Sequence, residues 1–288
     1  MTGVRQVDSI PALRRTVTSW REVARIGFVP TMGALHAGHE RLIRQARDEC
    51  ARVIVSIFVN PLQFDRADDL ERYPRALDTD MAICEQLGID LVFVPTLREM
   101  YPVQPACTVN PGPLARHLCG AHRPGHFSGM ATVVLKLLNA VTADRAYFGE
   151  KDAQQLAIVR RMVADFNLPV TIVGVPTVRE PDGLALSSRN MRLNVRERTL
   201  APRLHRALLA ADGLITTGEP DPGVVTRTAA AVIGDDELLR LEYLEIVDPE
   251  DLQPVDTIGG PVIVAGALWV GGTRLIDNCH SAPPASAR

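Results

Sequence analysis

Ile26-Gly-Phe-Val-Pro-Thr-Met-Gly-Ala-Leu-His-Ala-Gly-His39 is the stretch that decides the fold. Residues 26–30 read as a buried strand. A helix is expected to start near Gly38, with Leu42, Ile43, Ala46 and Cys50 on one face of residues 40–51. A strand that hands over to a helix through glycines is a place where phosphates bind, because the helix N-terminus offers N–H donors and a partial positive charge. His36 and His39 stand there, able to hydrogen-bond phosphate oxygens, while a side chain at Gly38 would obstruct a ligand lying on the backbone. Taken alone, His36-x-x-His39 is also compatible with a helix-capping histidine followed by a solvent-facing one.

The same alternation continues outward. Residues 53–59 read as an apolar strand, 75–87 as a helix ended by Gly88, 91–94 as a strand, 128–141 and 153–166 as helices with a short strand 146–148 between them, and 170–175 as a further strand. Strands apolar at nearly every position are buried on both faces. With helices between them, they predict a Rossmann-like α/β domain with a doubly wound parallel sheet. Beyond residue 176 the pattern changes to a helix 195–214, a Pro/Gly-rich break 218–223, a helix 224–233 and strands 240–247, 262–270 and 274–276 without helices between them. That predicts a smaller α+β domain, hence a division into 1–176 and 177–288, with residues 281–288 expected to be a disordered tail. Ligands of open parallel sheets bind at the carboxyl ends of strands. His36 and His39, Asn60 and Gln63, and Glu150–Asp152 all follow strands in that sense.

Composition narrows the function classes. A formal net charge of −3 argues against a dedicated nucleic-acid surface. No apolar run reaches the ~18–20 residues that cross a bilayer, since residues 133–141 are cut by Lys136 and Asn139. The N-terminal residues carry charges and Pro11 rather than an apolar signal core, so a cytoplasmic location is expected. Cys50, Cys84, Cys107, Cys119 and Cys279 share no C-x-x-C spacing, which predicts free, mostly buried thiols. His122 and His126 make a second histidine pair, but zinc needs three or four converging ligands, and no H-E-x-x-H or cysteine pair supplies them. A hard cation such as Mg²⁺, shared between a carboxylate and substrate phosphates, fits better. Of 31 basic residues only Lys136 and Lys151 are lysine. A compact ammonium is not equivalent to a guanidinium at a phosphate, so Lys151, within Gly149-Glu-Lys-Asp152, is read as position-specific. Lys136 reads equally as a stem snorkelling from a core helix or as a site residue.

Further motifs extend along the chain: Ile57-Phe-Val-Asn-Pro-Leu-Gln-Phe64, Tyr73-Pro-Arg75, Arg123-Pro-Gly-His-Phe127, Thr132-Val-Val-Leu-Lys136, Phe148-Gly-Glu-Lys-Asp-Ala-Gln-Gln155, Leu186-Ser-Ser-Arg-Asn190 and Gly271-Gly-Thr-Arg-Leu-Ile-Asp-Asn278. With the opening stretch, and in this order, they resemble the pantothenate synthetase (pantoate–β-alanine ligase) family of the nucleotidyltransferase superfamily. The resemblance implies a usually dimeric, two-domain enzyme that condenses (R)-pantoate with β-alanine at the expense of ATP. In the first step the pantoate carboxylate attacks the α-phosphate of ATP, giving pantoyl adenylate and pyrophosphate. In the second the β-alanine amine attacks the acyl carbon, giving pantothenate and AMP.

Position by position, the resemblance assigns His36 and His39 to ATP phosphates and the α-phosphate transition state, and Gly38 to the nucleotide base. Lys151, Ser187, Ser188 and Arg189 match phosphate-contacting positions, and Gly149 and Asp152 the ribose-side loop. Met32, Gly33, Val178 and Leu186 complete the implied ATP set. Gln63 and Gln155 match the pair that holds pantoate hydroxyl and carboxylate oxygens, with Asn60 beside them and Met32 and Phe58 as the apolar wall. Asp80 is the expected Mg²⁺-side carboxylate, with Asp78 as its rival. Ala37 stands where the family often has glutamate, Leu186 where methionine is common, and Asp65 where glycine is more usual, the last leaving the following loop open. Two other classes remain beside the ligase: a transferase of nucleotidyl groups to a phosphate acceptor, which predicts basic contacts where this chain has Gln63 and Gln155, and a catalytically silent nucleotide-binding protein, which predicts eroded site residues.

Overall fold

The computed structural model describes residues 4–284. They form two compact units, each covering its described part of the chain: one of residues 1–111, 123–150 and 158–176, the other of 112–122, 151–157 and 177–288. The sequence reading drew one boundary near residue 176; the short excursions 112–122 and 151–157 also belong to the second unit, which is where Lys151, Asp152 and Gln155 lie.

The strands are β1 (Arg5–Val7), β2 (Ile26–Thr31), β3 (Arg52–Ile57), β4 (Leu91–Phe93), β5 (Arg145–Gly149) and β6 (Thr171–Val175) in the first unit, and β7 (Leu239–Val247), β8 (Val262–Val270) and β9 (Thr273–Ser281) in the second. In chain order the helices are α1 (Ile10–Arg21), α2 (Ala37–Glu49), α3 (Ala67–Glu71), α4 (Leu77–Gln86), α5 (Leu97–Met100), α6 (Cys119–His122), α7 (His126–Val141), α8 (Ala153–Asp165), α9 (Val195–Leu200), α10 (Arg203–Thr216) and α11 (Pro222–Ile233).

The first sheet runs β1-β4-β3-β2-β5-β6, all parallel. Alternate residues of a strand face opposite sides, which explains why nearly every position is apolar. Val29, Val53, Val55, Ile57, Val92 and Tyr147 share one cluster with Leu42, Ile43 and Ala46 of α2 and Cys84 of α4. Phe28, Ile54, Leu91 and Phe93, the alternating set, are fully buried as well. Strand order leaves β2 toward β3 on one side and toward β5 on the other. The crevice at the carboxyl ends of β2 and β5 is therefore the topological switch point, where this class of sheet binds ligands.

β1 and α1 had no counterpart in the sequence reading. β1 is three residues long, and α1 buries only Leu13, Thr16 and Val17, too few apolar positions to stand out from a charged segment.

The second unit packs α10 and α11 on an antiparallel sheet β7-β8-β9 around Leu204, Leu208, Ile215, Val225, Val264 and Leu268. The single helix expected over 195–214 is two, α9 and α10, because Pro202 has no N–H to continue the ladder and α10 begins after it. β9 runs far past the expected 274–276. Ser281, assigned to the tail, pairs with Val262 and is buried; residues 285–288 of that tail lie outside the described residues.

Candidate active site

The corner after β2 ties up several of its own N–H groups. Thr31 Oγ1 donates to the Ser56 carbonyl at 2.7 Å, pinning the end of β2 to β3, and accepts the Gly33 N–H at 3.1 Å. Gly33 and Ala34 take positive φ values of 79° and 51°. The next two amides, of Ala34 and Leu35, donate to the Asp80 carboxylate at 2.9 and 2.7 Å. His36 is the N-cap of α2. Its Nδ1 accepts the Gly38 N–H at 3.1 Å, and His39 Nδ1 in turn accepts the His36 N–H at 3.3 Å, a reciprocal capping box.

Capping and phosphate contact are thus not alternatives. An imidazole whose Nδ1 accepts a hydrogen bond carries its proton, when neutral, on Nε2. Both rings, with centroids 4.2 Å apart, are held in the tautomer that presents an Nε2–H donor. The expectation that the start of α2 leaves its amides open to an anion needs correction, since the Gly38 amide is taken by His36. Gly38 also has a nearer reason to be glycine than a flat-lying ligand: a Cβ there would stand 2.8 Å from His36 Cε1 and 3.0 Å from Nδ1.

After β3, Asn60 and Gln63 form a second corner. Gln63 is 8% exposed; its Oε1 accepts from Asn60 Nδ2 at 3.0 Å and its Nε2 lies 3.2 Å from Met32 Sδ, joining the two corners. Asn60, expected to touch pantoate, is 1% exposed and gives its remaining bonds to the protein: Nδ2 to the Gly129 carbonyl at 3.1 Å, and Oδ1 from Tyr101 Oη at 2.9 Å. It braces Gln63 instead. Tyr101, which no sequence signal marked, has burial pushing its phenol up to about 12, so it stays a donor to Asn60. Lys136 Nζ sits 5.5 Å from the Tyr101 ring, a cation–π contact behind the site. The Gln63 main chain is held from the other side by His126, whose Nδ1 lies 2.6 Å from its carbonyl. A cavity of about 270 Å³ opens beside Met32 and Phe58, walled by Ile57, Leu77, Val94 and Leu97. Its lining is mostly apolar at and around these two residues.

Asp80 does not fit a Mg²⁺ ligand: it is 1% exposed and both oxygens hold backbone N–H groups. Mg²⁺ demands near-ideal octahedral geometry and keeps several waters. Asp78, its rival, is exposed on the first turn of α4. Among the described residues no group of three or more His, Cys, Asp or Glu is placed to hold a metal. The second histidine pair has other duties, with His122 stacked on Tyr243 at 5.5 Å and His126 on the Gln63 carbonyl.

In the second unit, Lys151 and Asp152 make a single helical turn before α8, and the Lys151 carbonyl accepts from Asn278 Nδ2 at 2.9 Å. Gln155 is half-buried. Its neighbour Gln154 is 6% exposed and donates to the Leu114 and His117 carbonyls, both at 2.8 Å, a structural role the doubled glutamine concealed. Ser187 caps the turn Ser188–Arg192 by accepting the Arg189 N–H at 3.2 Å. The Val178 carbonyl accepts the Leu186 N–H at 2.9 Å, so Val178 and Leu186 close the base of the same loop. Arg179 ties this loop to β9 through both Asp277 oxygens, at 2.5 and 3.0 Å. Gly149 ends β5 opposite Val175.

A doubly wound parallel sheet whose switch point carries a paired-histidine corner defines an α/β enzyme of the nucleotide-binding class. The family model described as pantoate-beta-alanine ligase matches residues 5–280. A pantothenate synthetase of Heliobacterium modesticaldum is 51% identical over 96% of this chain and 98% of its own length. The crystal structure of pantothenate synthetase from Thermus thermophilus covers 97% of this chain and all of its own, with a TM-score of 0.89 at 47% identity. The pantoate-beta-alanine ligase of Francisella tularensis, solved with beta-gamma ATP and beta-alanine, gives a TM-score of 0.80 at 36% identity over 96% of this chain and 97% of its own. The chain spans about half the length of the bifunctional pantoate ligase/cytidylate kinases it also matches, such as that of Thermosynechococcus vestitus, 52% identical over 95% of this chain and 54% of the relative. The chain belongs to the pantoate–β-alanine ligase family, an enzyme family, and has its fold.

Proposed function

We propose that this chain condenses (R)-pantoate with β-alanine through pantoyl adenylate, with ATP as the activating substrate. The observation that carries the proposal is the pair of imidazoles locked at the switch point with Nε2–H donors. A carboxylate attacking a polyanion meets repulsion, and donors fixed in advance stabilise the charge as it moves onto pyrophosphate. His36 and His39 serve the α-phosphate in this way. Lys151, Ser187, Ser188 and Arg189 contact phosphates, Gly149 and Asp152 the ribose side, and Met32, Gly33, Gly38, Val178 and Leu186 complete the ATP set.

Gln63 and Gln155 hold pantoate. A molecule with a gem-dimethyl group, a carboxylate and two hydroxyls needs an apolar wall plus amides that both donate and accept. Met32 and Phe58 beside the cavity, with the braced Gln63, supply that chemistry. In the second step the β-alanine nitrogen forms the amide bond at the acyl carbon, and AMP leaves with the electrons of the acyl–phosphate bond. Mg²⁺ accompanies the phosphates of ATP, and none of these steps calls on a protein carboxylate to hold it. Homodimeric assembly and a cytoplasmic location belong to the same proposal. So does the absence of nucleic-acid and membrane partners; no helix among the described residues is long and apolar enough to cross a membrane.

Labelled pyrophosphate exchange into ATP tests the proposal. Exchange is expected only with pantoate present, and without β-alanine. No exchange, or equal exchange with a phosphorylated acceptor, refutes it.

A further inference from the structure

We propose that Asp80 is the positioning residue of the paired-histidine corner, fixing His36 through the backbone of Ala34 and Leu35. The proposal rests on the reading of His36 and His39 as phosphate-contacting groups.

Asp80 comes from the first turn of α4, far in sequence from the corner it serves. Its two oxygens take the amides of two consecutive residues, and the next residue is the N-cap His36. Ala34 sits at φ 51°, a conformation that a residue with a Cβ keeps only when its surroundings impose it. The carboxylate is what imposes it. Gly33 completes the fit from the other side: at φ 79° it is already in glycine's region, and a Cβ would lie 2.8 Å from Asp80 Oδ2 and 3.0 Å from Ile57 Cγ2. Asp80 reaches the wall of the cavity beside Met32, yet at 1% exposure it has no room for a hydrated cation unless it releases the corner. Without the carboxylate, Ala34 relaxes toward negative φ, Leu35 turns, and the imidazole leaves the Gly38 amide. A misplacement of about 1 Å at a reacting group costs on the order of 100-fold in rate.

The test compares Asp80→Asn, Gly33→Ala, His36→Ala and the double variant Asp80→Asn/His36→Ala. The readouts are pantoate-dependent pyrophosphate exchange across a Mg²⁺ titration and, without substrate, the imidazole ¹H–¹⁵N spectrum. Asp80→Asn, which keeps the shape but turns a donor toward the amides, is expected to lower the exchange rate by about 10- to 100-fold. Half-saturating Mg²⁺ should stay within twofold. The His36 ring signals should lose the pattern of a neutral Nε2–H tautomer, and Gly33→Ala should reproduce both changes. On the His36→Ala background the Asp80 change should cost less than threefold more, because its effect passes through that histidine.

A tenfold rise in half-saturating Mg²⁺ with the rate restored at high Mg²⁺ makes Asp80 a metal ligand and overturns the proposal. So does a full, additive loss in the double variant, an unchanged spectrum in the folded variants, or failure of both Asp80→Asn and Gly33→Ala to fold, which makes the role one of stability alone. The spectrum needs no substrate. If wild-type protein gives no exchange while the His36 signals move as expected, the ligase reading fails and the positioning relationship stands.

Discussion

Arg123 grips Asp65 with two hydrogen bonds, Nε at 2.9 Å and Nη2 at 2.6 Å from Oδ1. Asp65 is the residue whose departure from glycine left the following loop open, and the pair supplies its use. The same guanidinium points Nη2 at the Gln63 carbonyl at 3.4 Å and Nη1 at His126 Nε2 at 3.2 Å. The imidazole therefore donates from Nδ1 to that carbonyl and accepts at Nε2, and the Arg123-Pro-Gly-His-Phe127 motif becomes a clamp on the main chain of Gln63, one of the two glutamines proposed to hold pantoate.

Cutting this clamp should be felt by one substrate. Arg123→Ala and Asp65→Asn are each expected to lower kcat/KM for pantoate by about tenfold, about 1.4 kcal/mol, since bonds to a charged group are worth that order. KM for ATP should change by less than about twofold. Steady-state kinetics with each substrate varied in turn checks this, and equal effects on both substrates would contradict it.

His36→Ala and His39→Ala remove a cap as well as a donor. The cap is worth about 1 kcal/mol of stability, whereas loss of a preorganised transition-state donor costs about 2.7–4 kcal/mol. Single-turnover adenylate formation should therefore fall by about 100-fold or more while urea unfolding reports only about 1 kcal/mol. Rates that fall no further than stability does would leave the histidines structural.

Gly38→Ala should lower the rate in the same direction as His36→Ala, though by less, without deleting any polar atom, because its Cβ meets the His36 ring at 2.8 Å. A loss of about tenfold or more in adenylate formation is expected, since a shift smaller than 1 Å already weakens alignment. Wild-type activity would show that the ring does not need its place against the Gly38 amide.

Lys151→Arg should not restore what Lys151→Ala loses. A planar guanidinium does not reproduce a compact ammonium at a phosphate, so both variants are expected to lose about 100-fold in pyrophosphate exchange. Recovery to within threefold in the arginine variant would reduce Lys151 to a generic positive charge.

Asp277 links stability to pH. Burial pushes its carboxyl up, but the Arg179 guanidinium prevails and holds it below the ordinary 3.8; His205 Nδ1, at 3.7 Å, is too far for a hydrogen bond. With the folded value below the unfolded one, the stabilisation is fully present above about pH 3.8 and disappears as pH falls through the lower folded value. Asp277→Asn should lose about 3 kcal/mol at pH 7, the low end for breaking a buried pair, because Arg179 is a quarter exposed. Urea titrations at pH 7 and pH 3 should show the gap between wild type and variant narrowing in acid. A constant gap would contradict the linkage.

Particular residues show what could be read in advance and what could not. Residues 26–30 are apolar throughout and residues 53–57 are interrupted only by Ser56, and such runs report burial on two faces whatever the fold around them, so β2, β3 and the parallel sheet were legible. The break at Pro202 was visible as a letter, yet the helical period on both sides masked it. β1 was too short to carry a period at all. In the site, His36, His39 and Gln63 announce themselves because they lie in compact motifs. Asn60 announces itself in the same motif and does something else, since spacing does not reveal whether an amide faces a ligand or Tyr101.

The sequence by itself determined the family, the order of the parallel strands' apolar cores and the chemical types gathered after β2, β3 and β5, because periodicity and motif are local properties of the chain. Only the tertiary structure decided that the Asp80 carboxylate lies against Ala34 and Leu35, that Arg123 and His126 hold the Gln63 carbonyl, and that His36 caps its own helix with Nδ1. These are contacts between corners of the fold, or choices of ring face and tautomer. Their energies depend on distances and burial that no spacing of letters encodes.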